Sequence, residues 1–237
     1  MESILSSLVD VDTSVFLFFN GMHAPFWDSF MSMYSGRFIW VPMYATVLFL
    51  LYRSFGWRTA TVYLLAIVLT ITIADQVCAT FIRPEIARLR PSNLDNPLST
   101  LTQVVNGYRG GPYGFPSCHA ANSAAFAAFV VAMVRLRKFT LFIVIWAIVN
   151  CYTRLYLGVH YPGDLLVGAI IGSAVGCAVF AVAKSLARLV DDPAPHWRRL
   201  SVSLKGRKVA ICDTSVTIVA GLLTVGYIAA VSAFNCF

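Results

Sequence analysis

Charge is scarce in this chain: Asp, Glu, Lys and Arg make up only 12% of its 237 residues. A soluble domain keeps about a quarter of its residues charged, so an ordinary water-facing surface is excluded. No long polar linker divides the chain, and no unit of roughly 20 to 50 residues repeats. The first basic residue is Arg37, preceded by Glu2, Asp10 and Asp12. A cleavable signal peptide has a cationic start, so none is expected. The six cysteines (Cys78, Cys118, Cys151, Cys177, Cys212 and Cys236) fall in or beside apolar runs without paired spacing. That pattern is neither a disulfide framework nor a zinc site; buried small-hydrophobe use is its ordinary meaning. Nor do His, Cys, Asp and Glu cluster at metal-ligand spacing, so neither a metal nor another cofactor is expected.

What fills the chain is apolar. The hydrophobic fraction is 58% and the mean hydropathy +0.73, and several runs reach the ~20 residues that cross hydrocarbon as helix. The expected fold is all-α: one polytopic membrane domain over 1–237, with six transmembrane helices. The spans read 38–52, 59–82, 117–135, 139–157, 164–182 and 209–237. Residues 1–35 are expected as short N-terminal interfacial helices. Asp12-Thr13-Ser14 offers capping oxygens before Val15–Phe19, and Phe26, Trp27, Phe30 and Met31 resume the helical spacing after Pro25. Such pieces suit the interface plane or a lid over the bundle. Asp75, inside the second span, is expected to pair within the bundle.

The net charge of +7 reflects asymmetry between membrane faces rather than a nucleic-acid partner. Turns at 53–58, 135–138 and 184–208 carry twelve of the eighteen basic residues: Arg53, Arg58, Arg135, Arg137, Lys138, Lys184, Arg188, Arg198, Arg199, Lys205, Arg207 and Lys208. Positive charge marks the cytoplasmic side. Both termini and the segment 83–164 are therefore expected on the opposite face.

That segment concentrates polar chemistry at the ends of lipid-facing helices. Arg83 and Arg90-Pro91 form a first cluster, Pro116-Ser117-Cys118-His119 a second, and Thr153-Arg154, His160 and Asp164 a third. Ser117 is a good N-cap residue, and the free N–H groups of the helix it opens favour an anion. His119, in that first turn, can exchange a proton near neutral pH. A carboxylate at Asp164 can fix the tautomer of His160 and leave its other nitrogen as nucleophile. Guanidinium forks at Arg83, Arg90 and Arg154 match phosphate oxygens. Each cluster alone has an ordinary reading: headgroup contact for the first, a histidine capping its own helix for the second, and an interfacial Arg-His-Asp network for the third. Together they supply what phosphoryl transfer requires: cations, a nucleophile and a proton donor.

The three clusters resemble the signature of the type 2 phosphatidic acid phosphatase superfamily: Lys-x6-Arg-Pro, Pro-Ser-Gly-His and Ser-Arg-x5-His-x3-Asp. Arg83 stands for the lysine, Cys118 for the glycine and Thr153 for the serine. The resemblance implies a membrane lipid phosphatase working without metal. His160 would form a phosphohistidine, Asp164 would orient it and His119 would protonate the leaving oxygen. Arg83, Arg90, Ser117, Arg154 and the Cys118 amide would hold the phosphate. Small bacterial members act on lipid A phosphates, undecaprenyl diphosphate or phosphatidylglycerol phosphate. The 108–115 and 119–123 segments resemble members from Bacteroidetes-type bacteria, which favours a lipid A phosphate. The implied setting is a bacterial inner membrane with the site facing the periplasm, and the implied partners are the lipid phosphate and surrounding membrane lipids. The residues leave open a phosphotransferase, or a lipid-binding or transport protein that keeps the cluster without turnover.

Overall fold

The structure, a computed structural model, describes residues 2–190, 201–204, 207–210 and 214–236. Helices dominate: α1 (Glu2–Asn20), α2 (Pro25–Tyr34), α3 (Val41–Phe55), α4 (Trp57–Gln76), α5 (Arg83–Ile86), α6 (Cys118–Val134), α7 (Arg137–Tyr156), α8 (Pro162–Leu189) and α9 (Ser215–Phe234). A π-helical turn, Val77–Ile82, joins α4 to α5 in one apolar rod, Trp57–Ile86.

Among the described residues, four helices are long and apolar enough to cross a membrane: Trp57–Ile86, Arg137–Tyr156, Pro162–Leu189 and Ser215–Phe234. Their outer faces carry apolar side chains, among them Leu69, Ile148, Ile170 and Leu223. The other two expected spans are shorter apolar helices, Val41–Phe55 and Cys118–Val134. At 1.5 Å per residue these reach only about 22 and 25 Å, against a hydrocarbon core of ~30 Å.

Several boundaries differ from the sequence reading. The N-terminal piece is one 19-residue helix rather than a short Val15–Phe19 turn. Asp12 does not cap a helix start. Its carboxylate is drawn into long-range contacts with Arg88 and Gly163, while Ser14 Oγ bonds back to Asp10 O. The all-α class holds for the bundle, and beside it strands β1 (Ser201–Leu204) and β2 (Arg207–Ala210) pair antiparallel, Ser201 opposite Ala210. Their pairing takes up residues expected to open the last span, which starts instead at Ser215. Arg198, Arg199 and Lys205 of the basic stretch lie outside the described residues.

The bundle is held tightest where α6 meets α8. Gly168, Gly172 and Gly176 of α8 repeat every fourth residue, so they share one face. A Cβ at each would lie 2.4, 2.0 and 2.5 Å from the carbonyl oxygens of Ser117, Ala121 and Ala125. Those acceptors are spaced by four as well, so the two backbones run against each other in step, as small-residue stripes permit. At the top of this seam Ser117 N donates to Asp164 O (3.0 Å), which locks the two helix starts together. The rod α4 lies against both helices, with Tyr63, Phe129 and Phe180 meeting ring to ring. A second aromatic group, Tyr34, Trp40, Phe126 and Trp146, packs α2 and α3 onto α6 and α7.

Candidate active site

The starts of α6 and α8 and the ends of α5 and α7 come together at one end of the bundle, under the 87–117 loop. The loop is pinned there by Leu89 bridging Tyr113, Arg90 N donating to Pro112 O (3.0 Å) and Gly114 N to Arg88 O (2.9 Å). Ala87, at φ 46°, turns the chain out of α5. Beyond that turn the loop carries Arg90 back to His160.

His160 lies between α7 and α8 and is almost completely buried. Its Nε2 is 2.9 Å from Arg90 Nη1, and its Nδ1 is 3.4 Å from Asp164 Oδ2. Arginine can only donate, so Nε2 carries the lone pair and the proton sits on Nδ1, facing the carboxylate. The 3.4 Å contact exceeds a well-formed hydrogen bond, and Nδ1 has no hydrogen-bond partner. Burial holds the imidazole well below its ordinary value, and Arg90, Arg154, Arg83 and His119 push it the same way. His160 is neutral at physiological pH.

Asp164 is fully buried. Its Oδ2 accepts from Tyr161 N and its Oδ1 from Arg88 Nη1, both at 3.0 Å. Gly114 closes in on the pair: a Cβ there would be 3.0 Å from Asp164 Oδ2 and 3.4 Å from His160 Nδ1.

Three guanidinium groups surround His160. Arg83 Nη2 donates to Pro116 O (2.8 Å) and Cys118 Sγ (2.9 Å). Arg90 Nη1 also donates to Val159 O (2.9 Å). Arg154, in the last turn of α7, donates to Ser35 Oγ (2.5 Å) and Tyr108 OH (3.4 Å). Each of the three keeps a buried Nε–H that pairs with no protein group. Their charges crowd one another: burial, then Arg83 and Arg154, lower Arg90 to about 10. Arg90 stays charged at neutral pH even so.

Ser117 caps α6, its Oγ accepting from Ala120 N (3.4 Å). Cys118 opens the helix, so its own amide is not consumed by an intrahelical bond. His119 follows, its Nε2 3.4 Å from Asn150 Oδ1. Asn150 is fixed in turn by donating to Trp146 O (3.0 Å). All eight residues singled out in the sequence thus lie in this one region. Asp75 borders them: its carboxylate accepts from Asn122 Nδ2 (2.9 Å), and its backbone oxygen accepts from the Cys118 thiol (3.9 Å).

The sequence reading missed Arg88, Gly114, Asn150, Ser35 and Tyr108. Asn150 carried a visible signal, being a polar residue four before Arg154 on an apolar helix and so on the same face. Ser35 and Tyr108 carried none, since each meets Arg154 only through the fold.

The model of the PAP2 superfamily matches residues 60–188. The chain is 51% identical over 223 residues to the lipid A 4'-phosphatase of Bacteroides thetaiotaomicron, covering 93% of this chain and 95% of that protein. It is 34% identical over 177 residues to the lipid A 4'-phosphatase of Porphyromonas gingivalis, covering 74% of each. The crystal structure of Aquifex aeolicus LpxE superposes with a TM-score of 0.51 at 24% identity, covering 71% of this chain and 94% of that one. That likeness concerns the fold.

Proposed function

The chain belongs to the PAP2 superfamily, and from that premise we propose that it removes the 4'-phosphate of lipid A at the periplasmic face of a bacterial inner membrane, through a phosphohistidine on His160. As a membrane-embedded lipid phosphatase, it must hold a phosphate ester where lipid and water meet. The observation that carries the site assignment is the set of buried, unpaired Nε–H donors on Arg83, Arg90 and Arg154 around a neutral imidazole. A buried donor without a partner costs about 1–3 kcal/mol. A tetrahedral anion satisfies all three and offsets their mutual repulsion.

In the first half-reaction, the N–H of Arg90 that now caps His160 Nε2 turns to a phosphate oxygen. Nε2 attacks phosphorus while the bond to the sugar oxygen breaks, and that oxygen takes a proton from His119. Asp164 faces the Nδ1–H and stabilises the charge growing on the ring. Arg83, Arg90, Arg154 and the amide at Cys118 bear the equatorial oxygens. In the second half-reaction water attacks phosphorus and gives a proton to His119. The P–N bond breaks, freeing inorganic phosphate and neutral His160. Asn150 holds His119 for both transfers.

All six apolar helices cross the membrane in this reading, the two shorter ones within a bundle whose polar end reaches below the headgroups. Arg53, Arg58, Arg135, Arg137, Lys138, Lys184 and Arg188 lie at the helix ends opposite the site. Their excess supports a cytoplasmic position for that end. The near-full-length similarity to a lipid A 4'-phosphatase supports the substrate.

The test is a substrate panel offered to the purified chain in detergent: lipid A phosphorylated only at 4', lipid A phosphorylated only at 1, undecaprenyl diphosphate and phosphatidylglycerol phosphate. Fastest phosphate release from the 4'-phosphate is expected. Faster release from undecaprenyl diphosphate, or none from any lipid, would sink the assignment.

A further inference from the structure

Arg88 sits between Arg83 and Arg90 in sequence, yet it spends its donors differently. Its Nη1 donates to Asp164 Oδ1 (3.0 Å), and its Nη2 lies 2.7 Å from Asp12 Oδ2. The guanidinium plane rests over the Tyr161 ring, 3.8 Å from its centroid. The other oxygen of Asp12 accepts from Gly163 N (2.7 Å), in the first turn of α8. Gly163 lets the carboxylate this close: a Cβ would stand 3.1 Å from Asp12 Oδ2. One carboxylate of α1 therefore caps α8 from outside and grips the arginine that grips Asp164.

We infer that Arg88 and Asp12 are positioning residues for the His160–Asp164 pair, so the N-terminal helix α1 is part of the catalytic apparatus. The inference rests on the phosphatase reading above. A carboxylate with one fixed oxygen can still rotate; fixing both sets its plane. Tyr161 N holds Oδ2 and Arg88 holds Oδ1, which leaves Oδ2 facing His160 Nδ1. Arg88 turns both Nη atoms to carboxylates and lays its plane on a ring, whereas Arg83, Arg90 and Arg154 each keep a buried Nε–H without a partner. Asp12 keeps Arg88 from turning into the anion site beside it.

The test is a double-mutant cycle on the full chain in detergent, with variants R88Q, R88K, D12N and R88Q/D12N, reading kcat and KM on lipid A 4'-monophosphate together with Tm. R88Q is expected to lower kcat about 100-fold, the scale of a misplaced catalytic group, with KM nearly unchanged. R88K recovers part of the loss by keeping the charge. D12N lowers kcat about tenfold on the same reasoning, and R88Q/D12N is no slower than R88Q, because Asp12 acts through Arg88. A raised KM with unchanged kcat in R88Q would make Arg88 a phosphate ligand and overturn the inference. Losses that multiply in the double variant overturn it too, as does wild-type kcat throughout. A wild type inactive on every lipid phosphate refutes the phosphatase reading itself. The clamp is then judged by Tm alone: equal losses in R88Q and R88Q/D12N support it, and additive losses overturn it.

Discussion

Replacing Gly114 by alanine adds one methyl group at a crowded point beside His160, the proposed nucleophile. Its carbon would sit 3.0 Å from Asp164 Oδ2, 3.2 Å from Arg90 Cγ and 3.4 Å from His160 Nδ1. The first two contacts are closer than carbon normally approaches, and none of the three neighbours has room to yield. Asp164 is pinned at both oxygens, and Arg90 is tied to Val159 O and His160. Overpacking of this kind costs about 1–3 kcal/mol. If the strain falls on the reacting geometry, that is a loss of about 5- to 150-fold in kcat/KM. The backbone of Gly114 is not left-handed, so the effect is steric and local. Gly111 is the internal control, because a Cβ there meets nothing within 4 Å. The assay is phosphate release from lipid A 4'-monophosphate, with Tm measured alongside. Wild-type kcat/KM in Gly114→Ala, or an equal loss in Gly111→Ala, would refute a close-packed pair.

Two further outcomes follow from the same geometry. Arg83 and Cys118 depart together from the pattern that the signature implies, and the Cys118 thiol accepts from Arg83 Nη2. Arg83→Lys and Cys118→Gly should each lower kcat/KM several-fold, at about 1 kcal/mol per lost hydrogen bond, while the double variant loses less than their product; strictly multiplicative losses would show the two to be independent. Burial and the neighbouring cations depress the His160 imidazole below its ordinary 6.5. Below pH 6.5 the unfolded chain takes a proton there that the folded chain refuses, so this stabilisation is present above 6.5 and is lost as pH falls. Wild-type Tm should therefore drop more between pH 7.5 and 5.5 than that of His160→Asn, and parallel profiles would contradict the depressed value.

Much of the site was legible because its chemistry is rare among lipid-facing residues. Arg83, Arg90, Ser117, His119, Arg154, His160 and Asp164 stand out in a chain with few charges, and the folded chain gathers them. Arg88 was visible as well, but its task was not: Asp12 and Asp164 lie 76 residues from it on either side, and spacing along a chain says nothing about such meetings. The helices announced themselves by apolar length, yet their limits did not. Capping oxygens at 12–14 pointed to a helix start, whereas Asp12 is claimed by partners elsewhere and α1 runs straight through. The steric demand at Gly114 belongs to the assembled site, and a glycine in a Gly-rich loop reads as a turn until its neighbours arrive.

The most direct test of the account is to find the phosphoryl group in transit. A radiolabelled lipid 4'-phosphate mixed with the purified chain and quenched in alkali, where phosphohistidine survives, gives tryptic peptides that separate the two candidates. His160 falls in peptide 155–184 and His119 in peptide 110–135. Label is expected on 155–184, with its loss in His160→Ala. Label on 110–135, or turnover with no labelled peptide under single-turnover conditions, would contradict it.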